Sequence, residues 1–413
     1  MATPDGQHLN GRSSEICITG VGAITPLGAG AQTLHERWVA GDYVSEQALA
    51  RCTDFSPGET LTRRELRILD RFAQMALCAA EEAVTQAGWQ HHLPVDPERI
   101  GCVVGTGAGP VTVMEDLYQM RLSDRGQYVT PLAPIMVMAN VAPAAIALHY
   151  GLKGESLGIV AACSSGSQAI VTAARMLRHG QLDAVLAGGA DACATDWFYS
   201  NLKISGALSR SGVARPFDRR RDGMVLGEGS GMLVLERRET AERRGAKVLA
   251  RLLGVGASTD AFHMVRPDPQ GDGPARAIKN ALADAGIHAQ DVDYVNAHGT
   301  GTKLNDISET LALKQALGDH AYRVPISAPK SSIGHLIGAA GAVEAVATVL
   351  AVTERIAPPT LHLEEADEQL DLDYVPQKPR ALPDALHREQ LVAISNSFAF
   401  GGHNVVLVIA SDA

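Results

Sequence analysis

The sequence predicts an α/β fold, and three observations carry that prediction. Apolar strand-like runs alternate with amphipathic helical stretches from residue 16 almost to the end, with no low-complexity linker between them. Hydrophobic residues make up 46% of the 413 positions and charged ones 20%, enough for a large core. Abundant Ala and Gly, with only 4% aromatics, suit helices lying close on sheets. The order of elements also repeats. Helical residues 76–88 end in Ala87-Gly88 and precede a strand from Ile100 to Val104 closed by Gly105-Thr106-Gly107. Helical residues 275–286 end in Ala285-Gly286 and precede a strand from Val292 to Ala297 closed by Gly299-Thr300-Gly301. Identity between the halves is low and chance is the alternative; the shared order favours duplication. The expected division is a flexible tail over 1–14, a first half over 15–250 and a second over 251–413, with equivalent corners meeting at a pseudo-twofold.

Along the chain, Ile16-Cys17-Ile18-Thr19-Gly20 reads as a strand entering a glycine-rich turn. Thr62 to Arg71 places Arg63, Arg64, Arg67 and Arg71 on a predicted helix. Such a run usually means a solvated face; its other meaning is a dock for an acidic partner. Gly158 to Ala162 reads as a small-residue strand that stops at Cys163, and a helix begins at Ser164 with Ile170, Ala173, Ala174 and Leu177 on one buried face. A cysteine at that corner meets the positive end of the helix, where free N–H groups favour the thiolate. Most free cysteines are simply small buried hydrophobes, so Cys163 needs partners.

Three segments offer them. Asn296-Ala297-His298-Gly299-Thr300-Gly301-Thr302 sets a histidine at a strand end between residues that let a ligand approach closely, with two hydroxyls for a polar, extended one. Ala328-Pro329-Lys330-Ser331-Ser332-Ile333-Gly334-His335 brings a lysine and a second histidine to the second corner. Lysine in so apolar a setting is costly unless paired, and Glu344 on the following helix (Val343, Val346, Ala347 and Leu350 at buried-face spacing) is the candidate. Ser395 to Asn404 places Phe398 and Phe400, two of only seven phenylalanines, beside Gly401-Gly402. Core packing is the plain reading there, a hinged aromatic gate the other. A thiol with two imidazoles points to acyl transfer on sulfur, the ring N–H groups opposing a developing oxyanion.

Other chemistries fit poorly. The net charge of −10 leaves no electrostatic footprint for nucleic acid or an anionic membrane. Six cysteines without a C-x-x-C pair are neither a disulfide framework nor a zinc site and fit a reducing cytoplasm. Residues 1–14 carry no apolar signal-peptide core, and the longest apolar stretch, Ile337 to Val352, contains Glu344. Gly105 to Pro110 misses the G-x-G-x-x-G spacing, and phosphate-loop, G-x-S-x-G and H-E-x-x-H motifs are absent.

Over nearly its whole length the chain resembles the β-ketoacyl-acyl-carrier-protein synthases of the KAS II type, condensing enzymes of the thiolase superfamily. The resemblance rests on Ile18-Thr19-Gly20-Val21-Gly22, Ala162-Cys163-Ser164-Ser165-Gly166, Arg215-Pro216-Phe217-Asp218 with Asp222-Gly223, Gly227-Glu228-Gly229, Asn296 to Thr300, Lys330 with Gly334-His335, Gly338-Ala339-Ala340-Gly341, and Asn396-Ser397-Phe398. Each is modest alone; in this order and spacing they are specific. The resemblance implies a thiolase fold, two duplicated thiolase-like halves in five α-β-α-β-α layers, and a decarboxylative Claisen condensation. Cys163 would take an acyl chain from acyl carrier protein, with the Cys163 and Phe400 N–H groups as oxyanion hole. His298 and His335 would promote decarboxylation of malonyl carrier protein, ordered by Lys330 paired with Glu344. Thr300 and Thr302 would hold pantetheine, Phe398 and Phe400 would gate, Ala108 and Leu202 would line the acyl pocket, and Arg64 and Arg67 would dock the carrier. Ile68 is apolar where a base is common.

The resemblance implies no metal or redox cofactor, and a dimer with an identical chain or a homologous chain-length-type subunit. Ala108 stands where a bulkier aliphatic often closes the pocket, and Ala399 replaces the glycine usual between the gate phenylalanines. Both suggest a specialised type II polyketide or polyene ketosynthase, with housekeeping fatty-acid elongation as the alternative. A biosynthetic thiolase would use a second cysteine near the C-terminus, and none follows Cys193. A non-catalytic partner subunit would lack the nucleophile, and the KAS III type pairs its cysteine with His and Asn.

Overall fold

The computed structural model describes residues 15–44, 49–58, 60–123, 129–382 and 390–412; the expected tail over 1–14 lies outside them. The principal strands are β1 (Ile16–Thr25), β2 (Ile100–Gly105), β3 (Ser156–Ile159), β4 (Ala184–Asp191), β5 (Gly229–Arg237), β6 (Ala250–Thr259), β7 (Tyr294–Asn296), β8 (Ile326–Ser327), β9 (Val392–Ala399) and β10 (His403–Ser411). They hydrogen-bond in the order β8-β7-β9-β10-β6-β1-β5-β4-β2-β3. Read from the middle outwards, each half repeats one topology. In the first, β3, β2 and β4 are parallel and β5 and β1 complete the half antiparallel. In the second, β8, β7 and β9 are parallel and β10 and β6 do the same. A short antiparallel ladder from Ile16–Leu252 to Ile18–Ala250 joins β1 to β6.

Five helices build the layers: α1 (Arg71–Ala87), α2 (Ser165–Arg178), α3 (Asp272–Ala285), α4 (Lys303–Leu317) and α5 (Ala340–Thr353). Helices α2 and α5 pack on each other and on strands of both halves, filling the middle. Helix α1 covers β1 and β5 from outside, and α3 covers β6 and β10 with α4 against it. This is the five-layered thiolase arrangement. Strands β1, β2 and β4 are buried throughout, which is why they read as continuous apolar runs rather than alternating ones. Helix α5 is buried on every side from Ala340 to Val352, so its near-membrane hydropathy belongs to a core helix. Among the described residues no helix is long and apolar enough to cross a membrane.

The glycines of Ile18-Thr19-Gly20-Val21-Gly22 are where α1 lies on β1: a methyl on Gly20 or Gly22 would fall 2.0 Å from the Ala83 or Ala79 carbonyl oxygen. Gly88 and Gly286 end α1 and α3 in the left-handed conformation. Several expected boundaries shift. The strand leading to Cys163 ends at Ile159 rather than Ala162, because the chain must already be turning towards the helix, which begins at Ser165. The strand expected from Val292 to Ala297 is Tyr294–Asn296. The arginine helix is a four-residue turn, Glu65–Ile68, and Asp70 then caps α1 by accepting from the Phe72 N–H at 3.0 Å. Arg71 therefore starts a different helix and turns inward, donating to Glu228 and to the Cys52 carbonyl.

Candidate active site

Two sharp corners lead into the central helices. Ala162 takes a positive φ of 48° and opens the 3₁₀ turn Ala162–Ser164 before α2; Ile337 takes 50° and opens Ile337–Ala339 before α5. Neither residue favours that region, and each such residue costs about 1–3 kcal/mol unless its surroundings hold it. In the first corner Ser165 Oγ accepts from the Ala161 N–H and donates to the Ala162 carbonyl, and Ser164 Oγ donates to the Ala161 carbonyl. Thus Ala-Cys-Ser-Ser is a stapled turn that presents Cys163. The two corners touch: a methyl on Gly166 would lie 2.9 Å from the Gly338 oxygen. By topology Gly338 is the counterpart of Cys163.

Cys163, His298 and His335 line one cavity of about 560 Å³, together with Thr300, Thr302, Phe398 and Phe400. The His298 and His335 ring centroids are 5.4 Å apart and nearly perpendicular. His298 follows β7, and its N–H and that of Gly299 donate to Glu309 Oε1 and Oε2, each at 2.8 Å. His335 is pinned through its backbone, donating to the Val225 carbonyl at 2.7 Å and accepting from Gly227 at 2.8 Å. Lys330 Nζ lies 3.3 Å from His298 Nδ1, and the Ile337 N–H donates to His335 Nδ1 at 3.2 Å. A donor on each Nδ1 assigns the ring proton to Nε2 in both imidazoles. Burial first, then Lys330 (and His335 beside His298), hold both rings well below the ordinary histidine range. They stand as neutral N–H donors.

Lys330 is 1% exposed and forms an ion pair with Glu344 behind the histidines, outside the cavity wall. Burial pushes the Glu344 carboxyl up to about 7, with Lys330 pulling against it. Cys163 departs from the expectation of a favoured thiolate. Burial raises the thiol to about 11, although the Phe400 N–H, Lys330 and its own N–H all act to lower it. Desolvation of a fully enclosed sulfur outweighs the helix end. Those two backbone N–H groups both act on the sulfur.

The remaining residues separate. Thr300 Oγ1 bonds Thr302 Oγ1 at 2.9 Å, and Thr302 also caps α4. Phe398 is buried and Phe400 half-exposed, at the start of a turn in which Gly401 and Gly402 both take positive φ. Ala108 and Leu202 do not line the cavity; they pack in an apolar cluster with Val111, Cys193, Met224 and Ile337, which meets the cavity at Met224 and Ala207. Arg64 and Arg67 are exposed beside Leu66 and make no ion pair among the described residues. Glu309 and Asp191 were not singled out from the sequence. Glu309 had a signal, since it falls on the buried face of α4 with Asp306 and Leu313. Among the described residues no cluster of three or more metal-ligating side chains occurs.

Models of the β-ketoacyl synthase N-terminal and C-terminal domains match residues 46–241 and 249–364. The chain belongs to the β-ketoacyl synthase family. It is 40% identical over 418 residues to 3-oxoacyl-[acyl-carrier-protein] synthase 2 of Synechocystis sp., covering 96% of this chain and 98% of that one. Among solved structures it is similar to the ishigamide ketosynthase/chain length factor, with a TM-score of 0.88 and 32% identity over 97% of this chain and 100% of that one. It is also similar to a type II PKS ketosynthase in complex with its acyl-carrier protein and bound to the hexaketide, with a TM-score of 0.87 and 27% identity over 97% and 100%. This β-ketoacyl synthase is a condensing acyltransferase.

A thiol raised to about 11 makes one measurement diagnostic. Iodoacetamide alkylation of Cys163 should climb about tenfold per pH unit from neutrality to about pH 10, without levelling near the ordinary thiol value. A plateau below pH 9 would show that the enclosed sulfur is already ionised.

Proposed function

We propose that Cys163 carries the acyl chain and that His298 and His335 drive decarboxylation of malonyl carrier protein. The observation that carries this reading is the two neutral imidazoles with Nε2–H free, sharing one cavity with the thiol. In the first half-reaction the Cys163 sulfur attacks the acyl thioester, and the Cys163 and Phe400 N–H groups receive the oxyanion. In the second, malonyl thioester places its carbonyl oxygen between the two Nε2–H groups, CO₂ leaves, and the enolate carbon attacks the acyl-Cys163 thioester. Lys330 holds His298 in the donating tautomer, and Glu344 balances the buried amine. Thr300 and Thr302 lie along the path of the pantetheine arm, and Phe398 and Phe400 separate the two half-reactions. In the first half-reaction the Cys163 proton passes to the departing carrier thiolate, and in the second the released Cys163 thiolate takes a proton from solvent; no metal or redox cofactor enters this balance, the substrates arriving on phosphopantetheine.

Partners and pathway belong to the same reading. Arg64 and Arg67, which form no ion pair among the described residues, are the docking site for an acidic carrier protein. Strand β3 lies at the open edge of the sheet, with exposed apolar Ile135, Met138, Leu148 and Val160 close to it in the chain, and supports pairing with an identical or chain-length-type subunit. Six free cysteines support action in the cytoplasm. The small Ala108 beside Ile337 and Met224, and Ala399 in the hinge, favour long polyketide or polyene chains; the likeness to a 3-oxoacyl-[acyl-carrier-protein] synthase 2 favours fatty-acid elongation as the second reading.

Incubation with acyl carrier protein should add one acyl mass to the peptide containing Cys163, and Cys163→Ala should abolish both that adduct and condensation. Acylation elsewhere would remove the assigned nucleophile. Charge reversal of Arg64 and Arg67 should raise the carrier-protein KM about tenfold at low salt with kcat little changed; an unchanged KM would leave the arginines as a solvated face. Ala108→Ile should shorten the product chains, and an unaltered length profile would separate position 108 from the acyl path.

A further inference from the structure

We infer that Asp191 is a positioning residue for His335, acting through the second corner of the duplicated fold. The inference rests on the reading of His335 as the donor to malonyl thioester. Asp191 ends β4 and is fully buried, yet no cation among the described residues pairs with it. Its carboxylate is instead held by four donors. Thr106 Oγ1 and the Ala108 N–H donate to Oδ1 at 2.8 and 3.2 Å, and the Gly107 and Gly338 N–H groups donate to Oδ2, both at 2.7 Å. An ionised carboxylate, which only accepts, matches all four.

The position of Gly338 gives this cradle its meaning. In the first half the corner residue is Cys163, whose N–H is free for a substrate oxyanion. In the second half the counterpart N–H, at the head of α5, is taken by a resident carboxylate. Asp191 thus fills the second corner's anion site with an internal group contributed by the first half. The preceding residue, Ile337, is β-branched and held at positive φ, and its N–H sets the proton of His335 on Nε2. The contact between Gly107 and Gly338 leaves little slack, since a methyl on Gly338 would lie 2.1 Å from the Gly107 nitrogen. Asp191 therefore clamps the turn after β2 to the corner that aims His335. It also lies close enough to Cys163 for its charge to oppose thiolate formation.

These two effects have opposite signs, which separates positioning from general support. Asp191→Asn keeps the shape but brings an NH₂ group against two N–H or O–H donors in either orientation. With malonyl carrier protein as probe, decarboxylation should fall about tenfold to a hundredfold. Acylation of Cys163 by octanoyl carrier protein should be unchanged or faster, because an opposing charge is gone. Equal loss in both half-reactions, or decarboxylation at the wild-type rate in the folded variant, would overturn the inference. If Asp191→Asn fails to fold, Thr106→Val decides: it removes one donor, and a smaller loss confined to decarboxylation is expected, while no loss overturns it. A wild-type protein that is acylated but does not decarboxylate malonyl carrier protein would instead refute the underlying assignment of His335.

Discussion

The site depends on a lysine buried where no lysine is cheap. Lys330 sits with Glu344 in the middle layer, between two half-sheets, and neither side chain reaches solvent. Such a pair rarely stabilises a fold over an apolar pair of the same size, because desolvating two charges costs several kcal/mol per ion. Its value lies in what it does to the neighbours. Lys330 presents a donor to His298 Nδ1 and, by its charge, disfavours imidazolium at both histidines. It also eases ionisation of the Cys163 sulfur. One buried amine acts on three groups of the cavity, each in the direction the proposed condensation needs.

Duplication explains how the rest of the constellation is delivered. A single αβ corner can present one residue at the head of a helix, and this fold has two, back to back through Gly166 and Gly338. In the proposed reaction the first corner supplies the nucleophile. The second gives its corresponding N–H to Asp191, and in the proposed reaction the residues just before it, Lys330 and His335, supply the electrophilic side. His298 follows the end of the parallel strand β7 and Phe400 the end of β9, so each group of the proposed reaction stands at a strand end or corner of the two halves. The glycine-rich character of these segments reflects close backbone approach as much as turn geometry.

Much of this was legible in the sequence because chemistry-bearing residues at strand ends stand out against an Ala- and Gly-rich background. Cys163, His298, Lys330, His335, Phe398 and Phe400 are each flanked by small residues or turn formers, and Glu344 is the lone charge in an apolar helix. Asp191 was not legible, since its partners are main-chain N–H groups of residues 106–108 and 338, and side-chain patterns do not register backbone donors. The arginine run misled for a related reason: four bases in ten positions look like one helix face, but Asp70 caps a new helix and sends Arg71 inward to Glu228. The thiolate expectation failed on magnitude. A helix end is worth about 2 kcal/mol at most, and complete desolvation of a thiolate exceeds it.

That last imbalance bears on how the two half-reactions can coexist. A sulfur that is protonated at rest reacts slowly with stray electrophiles. In the proposed reaction the proton of Cys163 passes to the carrier thiolate as the thioester bond breaks, so no free Cys163 thiolate need persist at rest. Once Cys163 is acylated the negative charge it would have carried is gone. In the proposed second step the field of Lys330 would then act on the enolate between His298 and His335 instead of on sulfur. On the proposed reading the same buried cation serves both steps in turn, and the switch between them is the acylation state of Cys163 itself.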